Sequence, residues 1–265
     1  MRILQYNILN GCQDDPNRLK RLGAWLKKQA YDVVGLNELN GWNQLPGMHQ
    51  LAQDWGYSHA ELFVTEGSPG FVGVLSKHPI KLVETCEASF NHGLLHVVIC
   101  GVHYLITHLT PVDTASREKE TAILAEMVSA TSQALVLMGD MNTLSLLDQE
   151  EHATSGLVDV LQRDSALQRK FLTSDRIINY KPMQQLLDAG LRDLGATVKA
   201  AYSVPTAANR DKAHAARMRL DYILVNEAFL GQRPEVRVRI LHNEEVDTLS
   251  DHYPVECVLG KNRED

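Results

Sequence analysis

The 265-residue sequence has no long hydrophobic run and no recognisable leader. A membrane-spanning helix needs about 18 or more consecutive apolar residues, and no such run occurs, so none is expected. The first residues, Met1 to Asn7, follow a strand-like pattern and lack the apolar stretch and small-residue cleavage site of a signal peptide. We therefore expect an intracellular protein, cytoplasmic, with the nucleus as the alternative.

Cysteine is scarce and scattered. The four cysteines are Cys12, Cys86, Cys100 and Cys257, and no two of them form a CxxC pair. This spacing argues against a disulfide framework and against a cysteine-bound zinc site. Reduced and mostly buried thiols are expected instead.

Aromatic residues make up only 6% of the chain and do not interleave with basic ones. A stacking platform for single-stranded nucleic acid is therefore not visible in the sequence. The net charge of −7 also argues against a protein that coats nucleic acid by bulk attraction. It remains compatible with a local basic groove, or with a small anionic substrate held by a metal ion.

Short apolar strands alternate with helical stretches, as in layered α/β proteins. Strands are predicted at 2–9, 32–37, 71–76, 80–87, 94–100, 102–108, 134–138, 219–225, 235–241 and 254–259. The four between 71 and 108 leave little room for helices, which favours antiparallel hairpins. Helices are predicted after an N-cap at Asn17, at 47–55, at 115–130 and over most of 144–200. The helix at 115–130 is expected to turn an apolar face to the core, formed by Ile123, Leu124, Met127 and Val128. No linker interrupts the chain, so residues 1–265 are expected to form one domain.

Polar side chains recur beside these apolar strands. Each alone is typical of an ordinary turn, since Asn and Asp bond the local backbone. Together, their carboxylates, amides and histidines suit a hard cation with acid–base groups beside it. Oxygen ligands favour Mg²⁺ or Mn²⁺, and no Cys/His cluster favours zinc. The candidates are Asn7, Glu38, His108, Asp140 and Asn142 after strands, and Asp221, Asp251 and His252 before strands.

Six short motifs containing these residues occur in an order that resembles the endonuclease/exonuclease/phosphatase superfamily. They span residues 6 to 255, nearly the whole chain. Asn37 stands where many members have Gln, and Met141 where many have Phe. The motifs are Tyr6-Asn7, Asn37-Glu38-Leu39, Thr107-His108-Leu109, Gly139-Asp140-Met141-Asn142, Arg219-Leu220-Asp221-Tyr222-Ile223-Leu224 and Ser250-Asp251-His252-Tyr253-Pro254-Val255.

The resemblance implies a four-layered α/β/β/α sandwich with two mixed, largely antiparallel sheets face to face. It implies Mg²⁺, with Mn²⁺ as a substitute. The implied roles can be given residue by residue. Glu38 is the principal metal ligand, helped by Asn7 and Asp251. Asp140 orients or deprotonates the attacking water, and Asn142 donates to a transition-state oxygen. His252 contacts the phosphate or helps to activate the water, Asp221 holds His252, and His108 stabilises or protonates the leaving oxygen.

A locally basic segment, residues 210–219, leads directly into Asp221. One interpretation is a loop that grips substrate phosphate through Arg217 and Arg219. The other is a solvated loop, and the sequence does not decide between them. Trp42, just past Glu38, is a candidate for the rim of the site or for the core.

A hydrolase of phosphoester bonds is the leading hypothesis, with nucleic acid or a nucleotide-like compound as substrate and a monomer as the expected state. The alternatives are a phospholipid phosphodiesterase of the neutral sphingomyelinase type and an inositol-phosphate phosphatase. A non-catalytic interaction module with the same fold is the alternative from another class. It should have lost metal or acid–base residues, and none is lost here.

Overall fold

The structure, a computed structural model, describes residues 1–44, 47–68, 70–198, 201–210, 214, 216–231 and 235–260. Every predicted strand is present, with ends shifted by at most two residues, and the strands His59–Phe63 and Leu191–Asp193 were not predicted. The strands are β1 (Arg2–Asn7), β2 (Val33–Asn37), β3 (His59–Phe63), β4 (Val72–Ser76), β5 (Ile80–Cys86), β6 (Leu94–Ile99), β7 (Val102–His108), β8 (Leu135–Asp140), β9 (Leu191–Asp193), β10 (Asp221–Asn226), β11 (Val236–Ile240) and β12 (Val255–Leu259).

The helices are mostly short, and in the described part of the chain none is long and apolar enough to cross a membrane. The described part of the stretch 144–200, predicted as mostly helical with polar connections, contains four short α-helices, two 3₁₀ turns and one strand. The helices are α1 (Pro16–Gln29), α2 (Met48–Asp54), α3 (Thr114–Ser129), α4 (Gln149–Thr154), α5 (Leu157–Leu161), α6 (Ser165–Phe171), α7 (Lys181–Asp188) and α8 (Glu227–Gly231), with 3₁₀ turns at Asn10–Cys12, Leu146–Asp148 and Leu194–Thr197.

Two details of the helices differ from the prediction. Asp15, not Asn17, caps α1, and its carboxylate accepts from the Asn17 backbone N–H at 2.8 Å. Pro16 takes the first helical position, where its missing N–H costs nothing, so the helix starts earlier than predicted. In α3, Leu124 and Val128 are buried as predicted, whereas Ile123 and Met127 are only partly buried. The rest of the inner face is polar: Arg117, Glu120 and Thr121.

The strands form two six-stranded mixed sheets. Sheet 1 has the order β11-β12-β1-β2-β4-β3, and sheet 2 has the order β5-β6-β7-β8-β10-β9. Only β1/β2 and β7/β8 pair in parallel among the described strands, and the predicted hairpins β5-β6-β7 are antiparallel. The sheets pack face to face through side chains such as Ile3, Val33, Tyr104 and Val136. Helices α1 and α2 cover sheet 1, and α3 and α7 cover sheet 2, which confirms the four-layered sandwich.

This topology brings the predicted site residues to one edge. Asn7 pairs with Asn37 at the carboxyl ends of β1 and β2, and His108 pairs with Asp140 at the carboxyl ends of β7 and β8. Asp221 opens the antiparallel β10 directly opposite Asp140. Since β12 runs antiparallel to β1, the loop before it returns to the same edge. The site therefore follows from strand direction, because parallel carboxyl ends and antiparallel amino ends meet there.

Gly139 has a packing role in the Gly-Asp-x-Asn motif. It pairs with Thr107 in the parallel register of β7 and β8. A Cβ at this position would lie 1.8 Å from the Thr107 carbonyl oxygen, inside the backbone of the neighbouring strand. Only glycine lets the two strands pair at this distance and so places Asp140 beside His108.

We expect Gly139→Ala to lower the free energy of unfolding by about 3 kcal/mol, because one strand must move. Urea denaturation followed by circular dichroism measures this change. Gly231→Ala is the matched control, since its Cβ would meet nothing within 4 Å, and it should stay within about 0.5 kcal/mol of the wild type. Equal stability of the two variants would contradict this role for Gly139.

Candidate active site

A cleft of about 630 Å³ opens at the edge where the strand ends meet. Six of the predicted site residues line this cleft. Two more, Asn7 and Asp221, are buried beneath it and are hydrogen-bonded to residues that line it. Eight of the ten predicted site residues therefore belong to one site. Those that line the cleft are Glu38, His108, Asp140, Asn142, Asp251 and His252.

Asn7 joins two of the carboxylates in the cleft. Its Nδ2 donates to Glu38 Oε1 at 2.9 Å and to Asp140 Oδ2 at 3.2 Å. Its amide oxygen accepts from the Leu9 backbone N–H at 3.1 Å. Asn7 thus holds Glu38 and Asp140 close together, and its oxygen is already engaged. The prediction that Asn7 also binds the metal directly stays a prediction, because an amide oxygen that accepts one hydrogen bond keeps a second lone pair.

Asn37 links the two sheets under the site. Its Oδ1 accepts from Gln5 Nε2 at 2.6 Å and from the Asp140 backbone N–H at 2.8 Å. Its Nδ2 donates to the Thr107 carbonyl at 3.0 Å. Asn37, which stands where many members of the resembled superfamily have Gln, is fully buried, and its amide fixes the position of Asp140 relative to β2.

Glu38 and Asn142 leave their strands in the left-handed region, with φ of 60° and 48°. Such a conformation costs about 1–2 kcal/mol for a residue with a Cβ. In both cases a hydrogen bond holds the residue in this conformation. Glu38 Oε2 accepts from the Asn10 backbone N–H at 2.8 Å, and the Asn142 backbone N–H donates to Asp140 Oδ1 at 2.9 Å. Two of the described non-glycine residues with positive φ thus lie at the site, where strain of this kind is common for functional residues.

Asp140 lies between two imidazoles. Its Oδ2 is 3.4 Å from His108 Nε2 and 3.7 Å from His252 Nε2. Burial by itself raises the pKa of Asp140, but the two rings outweigh it and hold the pKa well below its usual range. Asp140 is therefore ionised at neutral pH.

His252 is oriented by Asp221. Its Nδ1 lies 2.6 Å from Asp221 Oδ2, and both side chains are almost fully buried. Burial alone would lower the pKa of His252, but Asp221 and Asp140 together raise it to about 10. The ring is thus an imidazolium at neutral pH, and its Nε2–H faces the cleft.

His108 and Asn142 meet on the other side of Asp140. Burial lowers the pKa of His108, whereas Asp140 and Glu38 raise it, with a raised pKa as the result. Asn142 Nδ2 lies 3.0 Å from His108 Nε2 and donates to the Leu109 carbonyl at 2.9 Å. One N–H group of Asn142 is therefore engaged by Leu109, and the other lies beside His108 Nε2, which accepts from it only when that nitrogen is unprotonated.

Asp251 brings a third carboxylate to the cleft. Its Oδ2 is 3.4 Å from Nδ1 of His214, whose ring stands edge-on to His252. Buried groups that could bind a metal ion through one atom each are His214, Asp251 and His252, and Asp140, Asp221 and His252. Together with the half-buried Glu38, these donors are mostly carboxylate oxygens. The donor chemistry fits a hard divalent cation.

Four cleft residues with ionisable side chains were not among the predicted site residues. They are His92, Lys170, Arg210 and His214. His92 and His214 lie outside the recognised motifs. Lys170 lies on α6, where the spacing of residues in the sequence does not indicate which way each side chain points. Arg210 and His214 belong to the basic segment 210–219, so the position of that segment just before the Asp221 motif was the available signal. Asp211, Lys212, Ala213 and Ala215 of that segment lie outside the described residues.

Arg217 and Arg219 do not join the cleft. Arg219 is buried, with ion pairs to Asp148 and Asp193 at 2.7 Å each, and its guanidinium stacks on Tyr222. The exposed Arg217 lies over the Tyr202 ring, 4.6 Å from its centroid. The phosphate-binding hypothesis for these two arginines is therefore not supported, because partners distant in sequence already bind Arg219. Trp42 is likewise a core residue: it is buried and donates to the Gly11 carbonyl at 3.0 Å.

Because Arg219 is buried and balances the buried carboxylate of Asp193 and the partly buried one of Asp148, we expect Arg219→Ala to lower the free energy of unfolding by about 3–5 kcal/mol. Arg217→Ala is the matched control. It loses only an exposed ring contact, worth about 0.5–1 kcal/mol. Guanidinium chloride denaturation of both variants distinguishes them, and similar midpoints would refute the structural role of Arg219.

Comparisons with known proteins agree with this fold. An AP endonuclease from Archaeoglobus fulgidus superposes with a TM-score of 0.74 at 17% identity, covering 98% of this chain and 99% of that one. The 3' phosphatase NExo from Neisseria, bound to product DNA hairpin, gives 0.68 at 21% identity, covering 98% and 100%. A humanized D. rerio TDP2 gives 0.62 at 17%, covering 98% and 99%.

At the sequence level, no curated protein matches the chain. A family model does, and it extends from β1 to the histidine of the Ser-Asp-His motif, residues 4–252. The match includes all the predicted site residues. The chain therefore belongs to the Endonuclease/Exonuclease/phosphatase family.

Proposed function

We propose that this chain is a Mg²⁺-dependent hydrolase that cuts phosphodiester bonds in nucleic acid, with Mn²⁺ as a possible substitute for Mg²⁺. One observation carries the proposal. Asp140 lies within 3.7 Å of His108 and His252 in a cleft that also holds Glu38 and Asp251. Carboxylates for a metal and two cationic donors for a phosphate thus occupy the same cleft.

Glu38 and Asp251 are the residues proposed to hold the metal, and Asn7 keeps Glu38 in place through its N–H group. When bound, Mg²⁺ supplies a Lewis acid that neutralises charge on a phosphate oxygen. Asp140 is ionised, so its Oδ2 accepts a hydrogen bond from the attacking water and orients it. The low pKa of Asp140 makes orientation its main task, and the proton that the water loses as the new P–O bond forms passes to solvent, from which His108 is reprotonated.

The two histidines act on opposite sides of Asp140. His252 is held by Asp221 and donates from Nε2 to a non-bridging phosphate oxygen, where negative charge grows in the transition state. His108 donates its Nε2 proton to the leaving oxygen, so the departing group leaves as a neutral hydroxyl. Their raised pKa values support these roles, because both shifts favour the protonated ring and His252, with a pKa of about 10, keeps its proton at neutral pH.

DNA is the proposed substrate among the nucleic acids. The support is the family and the fold, since the similar structures include an AP endonuclease and a 3' phosphatase solved with a DNA hairpin. Lys170 and Arg210 in the cleft supply positive charge in a chain whose net charge is −7. A local basic wall of this kind suits a polyanion that is not attracted by the protein as a whole.

A substrate panel tests the proposal. Purified protein with Mg²⁺ is incubated with end-labelled single- and double-stranded DNA, abasic-site DNA, 3'-phosphorylated DNA, RNA, sphingomyelin and an inositol phosphate. Cleavage of an internal or terminal DNA diester, absent in His252→Ala, is expected. Turnover of only the lipid or only a phosphomonoester would overturn the proposal, and so would failure on every substrate.

A further inference from the structure

His92 stacks on His108 inside the cleft. The two rings are nearly parallel, with centroids 4.3 Å apart and an interplanar angle of 18°. Both nitrogens of His92 are engaged: Nδ1 lies 2.6 Å from Ser68 Oγ, and Nε2 lies 3.0 Å from Asn91 Nδ2. The Asn91 amide is a donor, so Nε2 is unprotonated and the ring is neutral. His92 has no nitrogen left for a substrate and meets His108 with its ring face.

His108 needs such a support because its own hydrogen bonds do not fix its ring. Among the described residues, no group hydrogen-bonds its buried Nδ1. Two groups near His108 Nε2 have opposite preferences. The Asn142 amide is a donor and favours an unprotonated Nε2, whereas the Asp140 carboxylate is an acceptor and favours a protonated one. His252 differs in this respect, since Asp221 anchors its Nδ1 at 2.6 Å.

We propose that His92 is a positioning residue, whose ring face holds the His108 imidazole in the orientation that protonates the leaving oxygen. A neutral aromatic face also stabilises a cationic ring stacked on it. The backbone leaves room for this arrangement at Gly70, where a Cβ would come within 2.5 Å of His92 Nδ1. The inference rests on the proposed function where it is tested by kinetics, but not where it is tested by the spectrum of the His108 ring.

Two variants separate the ring face from the hydrogen bonds. His92→Phe keeps a stacked ring and loses the bonds, whereas His92→Gln keeps polar groups and loses the ring. We expect kcat to fall about 10- to 100-fold in His92→Gln with KM almost unchanged, as for a misplaced catalytic group, and to stay within about threefold in His92→Phe. His96→Ala is the control, since His96 pairs with His103 and does not line the cleft.

Gly70→Ala tests the same contact without changing a histidine. Its methyl group crowds the His92 ring, so kcat should fall in the same direction as in His92→Gln while the melting temperature reports that the protein is folded. Long-range ¹H–¹⁵N spectra of the His108 ring provide a readout that needs no turnover. We expect its ring shifts and its pH titration to change in His92→Gln and Gly70→Ala, but little in His92→Phe.

The inference would be overturned by His92→Gln that keeps the wild-type kcat and the wild-type His108 spectrum. Equal kinetic losses in His92→Gln and His92→Phe would also overturn it, because the ring face would then not be the active feature. If the wild type hydrolyses no phosphoester, the proposed function fails, and the His108 spectra alone decide the role of His92.

Discussion

His252→Ala is expected to lower kcat/KM by about 10²–10³-fold, the range for a lost transition-state donor. The ring is buried, anchored through Nδ1 to Asp221, and cationic, so no water can replace it with the same charge in the same place. Rates of DNA cleavage under single-turnover conditions measure the loss in the chemical step. A folded variant with near-normal turnover would show that the assignment of His252 is wrong.

Two companion variants sharpen this test. Asp221→Asn keeps the shape of the anchor but removes its charge, so His252 should lose its proton at lower pH and the rate should fall at least about tenfold. His49→Ala changes an exposed histidine of α2 and should leave the rate unchanged. A loss in His49→Ala similar to that in His252→Ala would point to a general effect of histidine removal.

Asp140→Asn is expected to lower kcat/KM by about 10³-fold or more, at least as much as His252→Ala, because the Asp140 carboxylate contacts several groups of the site. Asp140 accepts from Asn7 and from the Asn142 backbone and faces the imidazole rings of His108 and His252. An amide cannot orient the water as an anion does, and its NH₂ group would face other donors. The measurement is the pre-steady-state rate at saturating Mg²⁺.

The same variant should change the histidines that surround it. Since the Asp140 carboxylate raises the pKa of both His108 and His252, its neutralisation should lower both values. Histidine titration by NMR detects the change without any substrate. Unchanged titration curves would mean that Asp140 does not set the charge of the two rings.

The layered fold, and the position of the site residues at one edge of the sheets, were predictable from the sequence because both follow from the local pattern of apolar and polar residues. Apolar strands such as Val33–Asn37 end directly at polar residues, and strand direction then decides which polar ends meet. The unpredicted strand His59–Phe63 is only partly buried and carries two polar residues, so its alternation is weak. β9 is only three residues long, too short to show a period.

Side-chain direction was less predictable than strand position. Arg219 looked like a phosphate contact beside Asp221, yet its partners Asp148 and Asp193 lie 71 and 26 residues away in sequence. The polar inner face of α3 has a similar cause. Glu120 accepts from the backbone N–H groups of Asn91 and Thr110 at 2.8 Å, and so holds two loops at the cleft. Contacts between distant segments set these directions, and a local pattern does not contain them.

The most direct test of the central claim is the dependence of DNA cleavage on free Mg²⁺ in the wild type and in Glu38→Gln. Glu38 is the one proposed metal ligand that is half-buried and faces the cleft without an imidazole partner among the described residues. We predict that the wild-type rate saturates with Mg²⁺ and vanishes in EDTA, and that Glu38→Gln needs at least about tenfold more Mg²⁺ to reach half of its own maximum. Full activity in EDTA, or an unchanged Mg²⁺ requirement in Glu38→Gln, would contradict the account.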